Sequence, residues 1–220
     1  MQRLLKYKWS LLVIVIQFIV TMFFVAQIPA GTKIPSHWNI QNEIDGWMSL
    51  NGALAFGLGL GIGMFLLMFL MPWYSPWYKK YEERFERVLP GLTFILVLFF
   101  ALLNIYSLYL AWAGIKTAAF RIVFVMIGGL FIMLGNILPK IPKNFFIGIK
   151  TPWTLASDDI WQKTHRLGGL LFVISGLVMI VKGFIASGQR EIHNLLAVIA
   201  FGMLLYPLVY SFILFRKQDK

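Results

Sequence analysis

An all-α, polytopic membrane protein with six transmembrane helices is the fold class this sequence predicts, and three observations predict it. Hydrophobic residues make up 59% of the chain and the mean hydropathy is +0.76, far above the roughly 45–50% apolar content of soluble domains. Apolar runs fall at about 10–28, 51–71, 89–112, 118–138, 168–186 and 192–214, each near the roughly 20 residues that cross a hydrocarbon core as a helix. The runs are solid rather than alternating, which excludes a closed barrel, the other spanning structure that satisfies its backbone groups in lipid.

The first run follows Arg3, Lys6 and Lys8 as a secretory signal would, but Ala26-Gln27-Ile28 makes a poor small-x-small cleavage site, so it reads as a retained anchor. The connection at 29–50 contains Pro29, Gly31, Pro35 and Gly46 and is expected to be a turn-rich loop. Helix two carries Gly52, Gly57, Gly59, Gly61 and Gly63, a spacing for close packing against a neighbour or for a water-lined segment. The next connection has Trp73, Tyr74, Trp77 and Tyr78 beside mixed charges and reads as an interfacial amphipathic piece. Polar residues within the spans are few: Gln17, Asn104, Tyr106, Tyr109, Asn136 and Tyr206. They either join helices by hydrogen bonds or line a transport path. No Asp, Glu, Lys or Arg lies well inside a predicted span, which argues against a charge-relay transporter.

Pro139 and Pro142 end helix four. A new helix is expected near 158, with Ser157 as N-cap and Asp158 and Asp159 at the positive end of its dipole. Ile160, Trp161, Thr164 and Leu167 or Gly168 then share one face, with Asp159–Lys163 and Gln162–Arg166 as i, i+4 pairs. Pro207 is expected to bend the last helix. The organisation is a two-helix region at 1–88 with an extracytoplasmic loop at 29–50, then a four-helix region at 89–220 with a cytoplasmic loop at 135–169.

The net charge of +11 is not spread as on a nucleic-acid-binding surface. Basic residues cluster at the N-terminus (Arg3, Lys6, Lys8), the second connection (Lys79, Lys80, Arg84, Arg87), the fourth (Lys140, Lys143, Lys150, Lys163, Arg166) and the tail (Arg216, Lys217, Lys220). The alternate connections hold Lys33, Lys116, Arg121, Lys182 and Arg190. The positive-inside rule therefore predicts an N-in/C-in topology, and anionic lipid is the simplest partner for the basic face. The chain has no cysteine, so disulfides, thiolate metal sites and cysteine nucleophiles are excluded.

The stretch 135–169 concentrates charge, proline and tryptophan. Its His165 and Asp158 are seven residues apart, about 10 Å along a helix and too far for direct contact. No serine or cysteine sits in a nucleophile motif, and His37 and His193 are predicted on the opposite side from His165. Neither a catalytic, a cofactor nor a metal site is therefore assigned. Lys140, Lys143, Lys150, Lys163 and Arg166 instead offer donors to lipid phosphates or to a carboxylate-rich partner, with Arg166 suited to bidentate contact.

Asn136, Pro139, Asn144, Gly148, Thr151, Pro152, Trp153, Thr154, Trp161, Thr164, His165, Arg166 and Gly168 resemble the signature of the SdpI-like family, bacterial membrane proteins typified by immunity to the sporulation-delaying peptide toxin. With Lys140 they form the candidate partner- or toxin-response site. Pro35, His37, Trp38 and Asn39, followed by Asp45, Gly46 and Trp47, resemble a short domain of unknown function that precedes the SdpI-like region in longer members, although Gln41-Asn42-Glu43 replaces the customary glycine and proline. The resemblance implies a non-enzymatic immunity protein of the cell membrane. Its implied partners are membrane lipids, a peptide toxin and a cytoplasmic transcriptional repressor held at the membrane. A transporter or lipid-handling protein, built from the glycine-rich helix two, the kinked last helix and the 135–169 loop, is the competing reading. An intramembrane enzyme would need Asp158, Asp159 or His165 to converge with polar groups of other helices.

Overall fold

The computed structural model describes residues 2–40, 43–115, 122–185 and 189–218. A short helix α1 (Gln2–Lys6) leads into α2 (Lys8–Gln27), a hairpin of β1 (Ile34–Trp38) and β2 (Ile44–Met48), and α3 (Leu50–Phe69). The short α4 (Met71–Tyr74) and α5 (Pro76–Lys80) precede the long α6 (Glu82–Trp112). Then come α7 (Ile122–Ile137), a 3₁₀ turn at Leu138–Lys140, the short α8 (Pro152–Ala156), and the long α9 (Asp158–Phe184) and α10 (Arg190–Gln218). Among the described residues six helices are long and apolar enough to cross a membrane, matching the six predicted runs. The protein is a multi-pass membrane protein, and an even number of crossings returns both ends of the bundle to one side. Residues 118–121 and 186 of the predicted fourth and fifth spans, and Gln41 and Asn42 of the first connection, lie outside the described residues.

Two of the spans begin more than a turn before their apolar runs: α6 at Glu82 and α9 at Asp158. Both carry two acidic residues in the first turn, which the helix dipole stabilises there. Pro90 and Pro207 lie inside α6 and α10 without ending them.

The helices form two groups, α2 and α3 against α6, and α7 and α10 against α9, joined by α6 against α7. In the first group the polar residues tie helices together. The Gln17 amide donates to the Gly57 carbonyl at 3.0 Å and to Asn104 Oδ1 at 3.3 Å, Thr21 donates to the same oxygen at 3.1 Å, and Asn104 donates to the Ala53 carbonyl at 3.2 Å. In lipid each such bond is worth about 0.6–2 kcal/mol. Gly57 is where the backbone must approach closely, since a Cβ there would overlap the Asn104 amide.

The second group is zipped by glycine. A Cβ on Gly128 would sit 2.5 Å from the Gly176 carbonyl and one on Gly176 2.5 Å from the Gly128 carbonyl. Two turns away, Gly135 and Gly169 repeat the arrangement at 2.6 Å. Small residues at these crossings bring two antiparallel backbones into van der Waals contact.

The first connection departs from its expectation. It is not a turn-rich loop but an antiparallel hairpin, with Ile34 opposite Met48, Pro35 opposite Trp47, His37 opposite Gly46 and Trp38 opposite Ile44. Asn39 and Glu43 close the turn through the Asn39 N–H to Glu43 carbonyl bond (3.0 Å) and the Glu43 N–H to Asn39 Oδ1 bond (2.9 Å). Pro35 and Gly46, read as breakers, are compatible with the register irregularities flanking His37. The hairpin lies on α6, where Ser107 donates to the Pro35 carbonyl and Trp38 packs against Tyr106. From the other group, Lys182 reaches across to donate to the Ile40 carbonyl. Expected in a connection, Lys182 is instead fully buried in the last turn of α9, its ammonium 3.5 Å from the centre of the Phe124 ring.

At the opposite end, α1 and α5 are fastened to α6 through Glu86. Arg3 (3.2 Å), Lys6 (2.7 Å) and the Tyr78 hydroxyl all donate to its carboxylate. Burial, and then the bond to Glu86, push the Tyr78 phenol well above its ordinary range.

Candidate functional site

The segment 138–169 folds back on α9 as a bonded platform at the end of the bundle opposite the hairpin. Its first turn is built by Asn144, which is fully buried. The amide nitrogen donates to the Pro142 and Ile147 carbonyls at 2.8 and 3.0 Å, and Oδ1 accepts from the Phe146 and Ile147 N–H groups, both at 2.7 Å. All the amide's main bonding capacity is spent on holding one short loop. That loop pushes Phe145 and Phe146 outward, against Trp77 (4.3 Å between centroids) and Tyr74 (4.9 Å).

His165 lies at the centre of the platform and is 1% exposed. Its Nε2 accepts from the Ile149 N–H at 3.0 Å, so Nδ1 carries the proton and donates to the Trp161 carbonyl at 2.8 Å. The ring stacks on Trp161 at 3.9 Å, and the Trp161 indole donates to the Ile141 carbonyl at 2.9 Å. His165 therefore fixes a loop and a tautomer, and both its nitrogens are committed.

Gly148 (φ +118°) turns the chain beneath this ring, where any Cβ would overlap His165 and crowd Trp161. The chain then reaches Thr151, which caps α8 reciprocally: Thr154 N–H donates to the Thr151 hydroxyl at 3.1 Å and Thr151 N–H to the Thr154 hydroxyl at 2.9 Å. Pro152 opens that helix, where its missing N–H is no loss. The Thr154 hydroxyl also reaches the Ile149 carbonyl at 3.0 Å.

Three further contacts attach α8 and its cap to α10. The Thr151 and Ser211 hydroxyls are 3.2 Å apart, and Trp153 packs on Phe212 and Phe215 at 5.0 and 5.9 Å. Ser157 caps α9 as expected, accepting from the Ile160 N–H, and Ile160, Trp161, Thr164 and Gly168 are buried along the predicted face. A Cβ on Gly168 would lie 2.5 Å from the Ile149 side chain, so Gly168 also admits the loop.

The structure thus brings together Asn144, Gly148, Thr151, Pro152, Trp153, Thr154, Trp161, His165 and Gly168. Thr164 is buried on the same face, its hydroxyl without a hydrogen-bond partner among the described residues. Asn136 stands apart, exposed and bonded to the Ile132 carbonyl of its own helix at 2.8 Å, and Pro139 lies beside Gly169 in the α7–α9 seam. Three of the five platform cations are used internally. Lys143 pairs with Asp158 (2.6 Å), Lys163 with Asp159 (2.8 Å), and Lys150 donates to the Phe145 and Phe146 carbonyls. Lys140 and Arg166 are exposed. The roles of Ser211, Phe212 and Phe215 had no signal in the sequence, because nothing in an apolar helix distinguishes the positions that a distant loop will touch.

These residues coincide with a known family. Residues 140–211 match the SdpI/YfhL protein family. The resemblance read from the sequence is thereby shown, with Asn136 and Pro139 just ahead of the matched segment. A second match, to the domain of unknown function DUF1648, covers residues 12–60 and so takes in most of α2, the hairpin and the first half of α3. A curated relative is the Immunity protein SdpI of Bacillus subtilis (strain 168), 25% identical over 92 residues, an alignment covering 41% of this chain and 44% of that protein. The chain thus matches less than half the length of that relative. No solved structure matches. The SdpI/YfhL segment holds the whole loop from Lys140 through α8, all of α9 and α10 as far as Ser211, the elements that the platform's hydrogen bonds connect.

The hairpin residues Pro35, His37, Trp38, Asn39, Asp45, Gly46 and Trp47 all lie in the other match, at the far end of the bundle. His37 and Asp45 pair at 2.5 Å, and Gly46 leaves room for them, since a Cβ there would stand 2.7 Å from that of His37. Trp38 is packed on α6, whereas Trp47 is 44% exposed.

Proposed function

We propose that this protein is a membrane immunity protein, protecting a bacterial host against a secreted, membrane-active peptide toxin. The observation that carries the reading is the match of residues 140–211 to the SdpI/YfhL family together with the likeness to the Immunity protein SdpI. The distribution of basic residues supports an orientation in which the platform and both ends face the cytoplasm and the hairpin faces outward. The hairpin is then the surface a secreted toxin meets first. The platform, which exposes Lys140 and Arg166 as well as the aromatic Phe145 and Phe146, meets anionic lipid and, in a sensing role, a cytoplasmic repressor. The mode of action is binding rather than turnover: His165 is held by two hydrogen bonds as a structural group, which leaves it no free nitrogen for proton transfer.

The test is survival. The chain is expressed in a toxin-sensitive bacterium and challenged with sporulation-delaying-type peptides, with Trp153→Ala and Arg166→Ala at matched membrane levels. Wild type should protect in proportion to its copy number, and Trp153→Ala should lose protection because α8 is released from α10. A wild type that protects against none of these peptides would sink the immunity reading and favour transport or lipid handling.

A further inference from the structure

At the end of the bundle opposite the hairpin, α1, α4, α5 and the first turns of α6 border a cavity of about 340 Å³ whose lining residues fall outside both matched segments. That volume is within the roughly 300–1,000 Å³ of small-ligand sites. Its depth is set by Trp73, Tyr74, Trp77 and Tyr78 of α4 and α5, since such aromatic residues settle at the level of lipid headgroups. The charged residues that line it are Arg3, Lys6, Glu82 and Glu86.

These charges are arranged as two poles. At one, the Glu86 carboxylate accepts from Arg3 at 3.2 Å and from Lys6 at 2.7 Å, so two cations face one anion and positive charge is left over. Arg3 is fixed there by aromatic faces, its guanidinium lying 4.8, 5.7 and 5.9 Å from the centres of the Phe69, Tyr78 and Trp73 rings. The Lys6 side chain is 49% exposed, and its ammonium keeps donors beyond the one that Glu86 takes. At the other pole Glu82 is exposed and makes no hydrogen bond or ion pair among the described residues. Glu82 stands one turn before Glu86 on α6, a spacing of about 5–6 Å between Cβ atoms.

A ligand that satisfies both poles presents a negative group and a hydrogen-bond-donating positive group a short bridge apart. A purely anionic headgroup satisfies Lys6 but is repelled by Glu82, and a trimethylammonium group has no N–H for the Glu82 carboxylate. Phosphoethanolamine has both charges, a phosphate and a primary ammonium joined by a two-carbon bridge that holds them at a separation comparable to one helical turn. The cavity thus differs from the rest of this end of the bundle, where Lys79, Lys80, Lys140 and Arg166 are exposed and favour anionic lipid. We infer that the cavity binds the headgroup of an aminophospholipid, its phosphate on the Lys6 ammonium and its own ammonium on the Glu82 carboxylate. An occupant bridging Lys6 and Glu82 clasps α1 to the start of α6, alongside the direct bonds to Glu86. The site requires only the membrane-spanning fold and stands whether or not the chain confers immunity.

The experiment uses the full chain, purified in detergent and offered an equimolar mixture of phosphatidylethanolamine, phosphatidylcholine and phosphatidylglycerol with identical acyl chains. Retained lipid is counted by mass spectrometry, and the melting temperature is measured with each lipid alone. Glu82→Gln removes the negative pole and Glu82→Lys reverses it. Glu83→Gln, which takes an equal charge from the same first turn of α6 but from a residue paired with Arg87, is the control. Wild type should retain phosphatidylethanolamine about threefold to fivefold over either other lipid, the range an exposed ion pair supplies, and should melt highest with it. Glu82→Gln should lose that preference, Glu82→Lys should favour phosphatidylglycerol, and Glu83→Gln should match wild type. Should Glu82→Lys fail to fold, Glu82→Gln decides. Equal retention of the three lipids by wild type, or a preference for either of the other two, would overturn the inference, with phosphatidylglycerol pointing to overall basic charge as what governs binding. A preference for phosphatidylethanolamine that survives in Glu82→Gln places that lipid elsewhere on the protein and overturns it as well.

Discussion

Gly148 and His165 cannot both carry side chains: the Cβ that Gly148 lacks would occupy the space of the His165 imidazole nitrogen that receives the Ile149 N–H. Sixteen residues separate that N–H from the ring, so one missing methyl group decides whether the loop closes on α9. Gly148 is also at φ +118°, where an L side chain is strained by about 1–3 kcal/mol. Gly148→Ala should therefore combine backbone strain with loss of the His165 bond. The expected result is a fall in melting temperature of several degrees in detergent and loss of protection, and a variant as stable and protective as wild type would show that the platform tolerates an open loop.

The contact between Thr151 and Ser211 joins the loop to α10 through two hydroxyls 3.2 Å apart. Ser211→Ala removes that contact and the Ser211 bond to the Leu208 carbonyl of its own helix, whereas Thr151→Ala removes the contact together with the cap of α8. A cap is worth about 1 kcal/mol. Thr151→Ala should thus be the more damaging of the two in thermal melts, by roughly that amount. Equal effects would mean that the capping box contributes nothing.

How much of this was legible in the sequence follows from the kind of signal each feature leaves. Six spans are written as runs of apolar residues, and the start of α9 is written locally in Ser157, Asp158 and Asp159. The signature residues were readable as a set, but not what they do: Asn144 looks like any loop asparagine until its four bonds are seen. His165, for which the sequence offered no partner within reach, is a buried pillar because its partner is a backbone N–H sixteen residues away. The hairpin was missed because its strands contain Pro35 and Gly46, which as isolated residues signal breaks. In a two-stranded ribbon that packs on α6 they are tolerated, and packing against a helix supplies the stability that a bare hairpin lacks. Lys182 was read by its charge and position as a connection residue. Its burial depends on Phe124 and Ile40, which no local pattern links to it.

Glycines in the α7–α9 seam are not equivalent, and the structure ranks them. Gly169→Ala would press a methyl group to within 2.6 Å of the Gly135 carbonyl, and Gly176→Ala to within 2.5 Å of that of Gly128. Gly129 has nothing within 4 Å of its would-be Cβ. Gly129→Ala is expected to be neutral or slightly stabilising, as alanine favours helix by up to about 1 kcal/mol over glycine. Both seam variants should lose stability, with the double variant worse than either. Cross-linking or thermal melts in nanodiscs give the order, and a destabilising Gly129→Ala with neutral seam variants would reverse the assignment of the packed face.

The tie between Lys182 and the hairpin turn should govern how firmly the outer surface is held. The Lys182 ammonium donates to the Ile40 carbonyl and lies over the Phe124 ring, linking α9 of the SdpI/YfhL segment to a hairpin that belongs to the other matched region. A cation over an aromatic face contributes about 2 kcal/mol or more when desolvated, and a charged donor to a carbonyl about 1.5–3 kcal/mol. Lys182→Met keeps the apolar stem and removes both interactions. Because the chain has no cysteine, a single Ile40→Cys carries a spin label whose mobility reports the hairpin turn directly. The label should move faster in the Lys182→Met background, while a second label at Lys140, on the platform, should be unchanged. Unaltered mobility at Ile40 would mean that the hairpin is held by the first helix group alone, through Ser107, Tyr106 and the packing of Ile34 on Phe24 and Ala53, and that α9 contributes nothing to the outer surface.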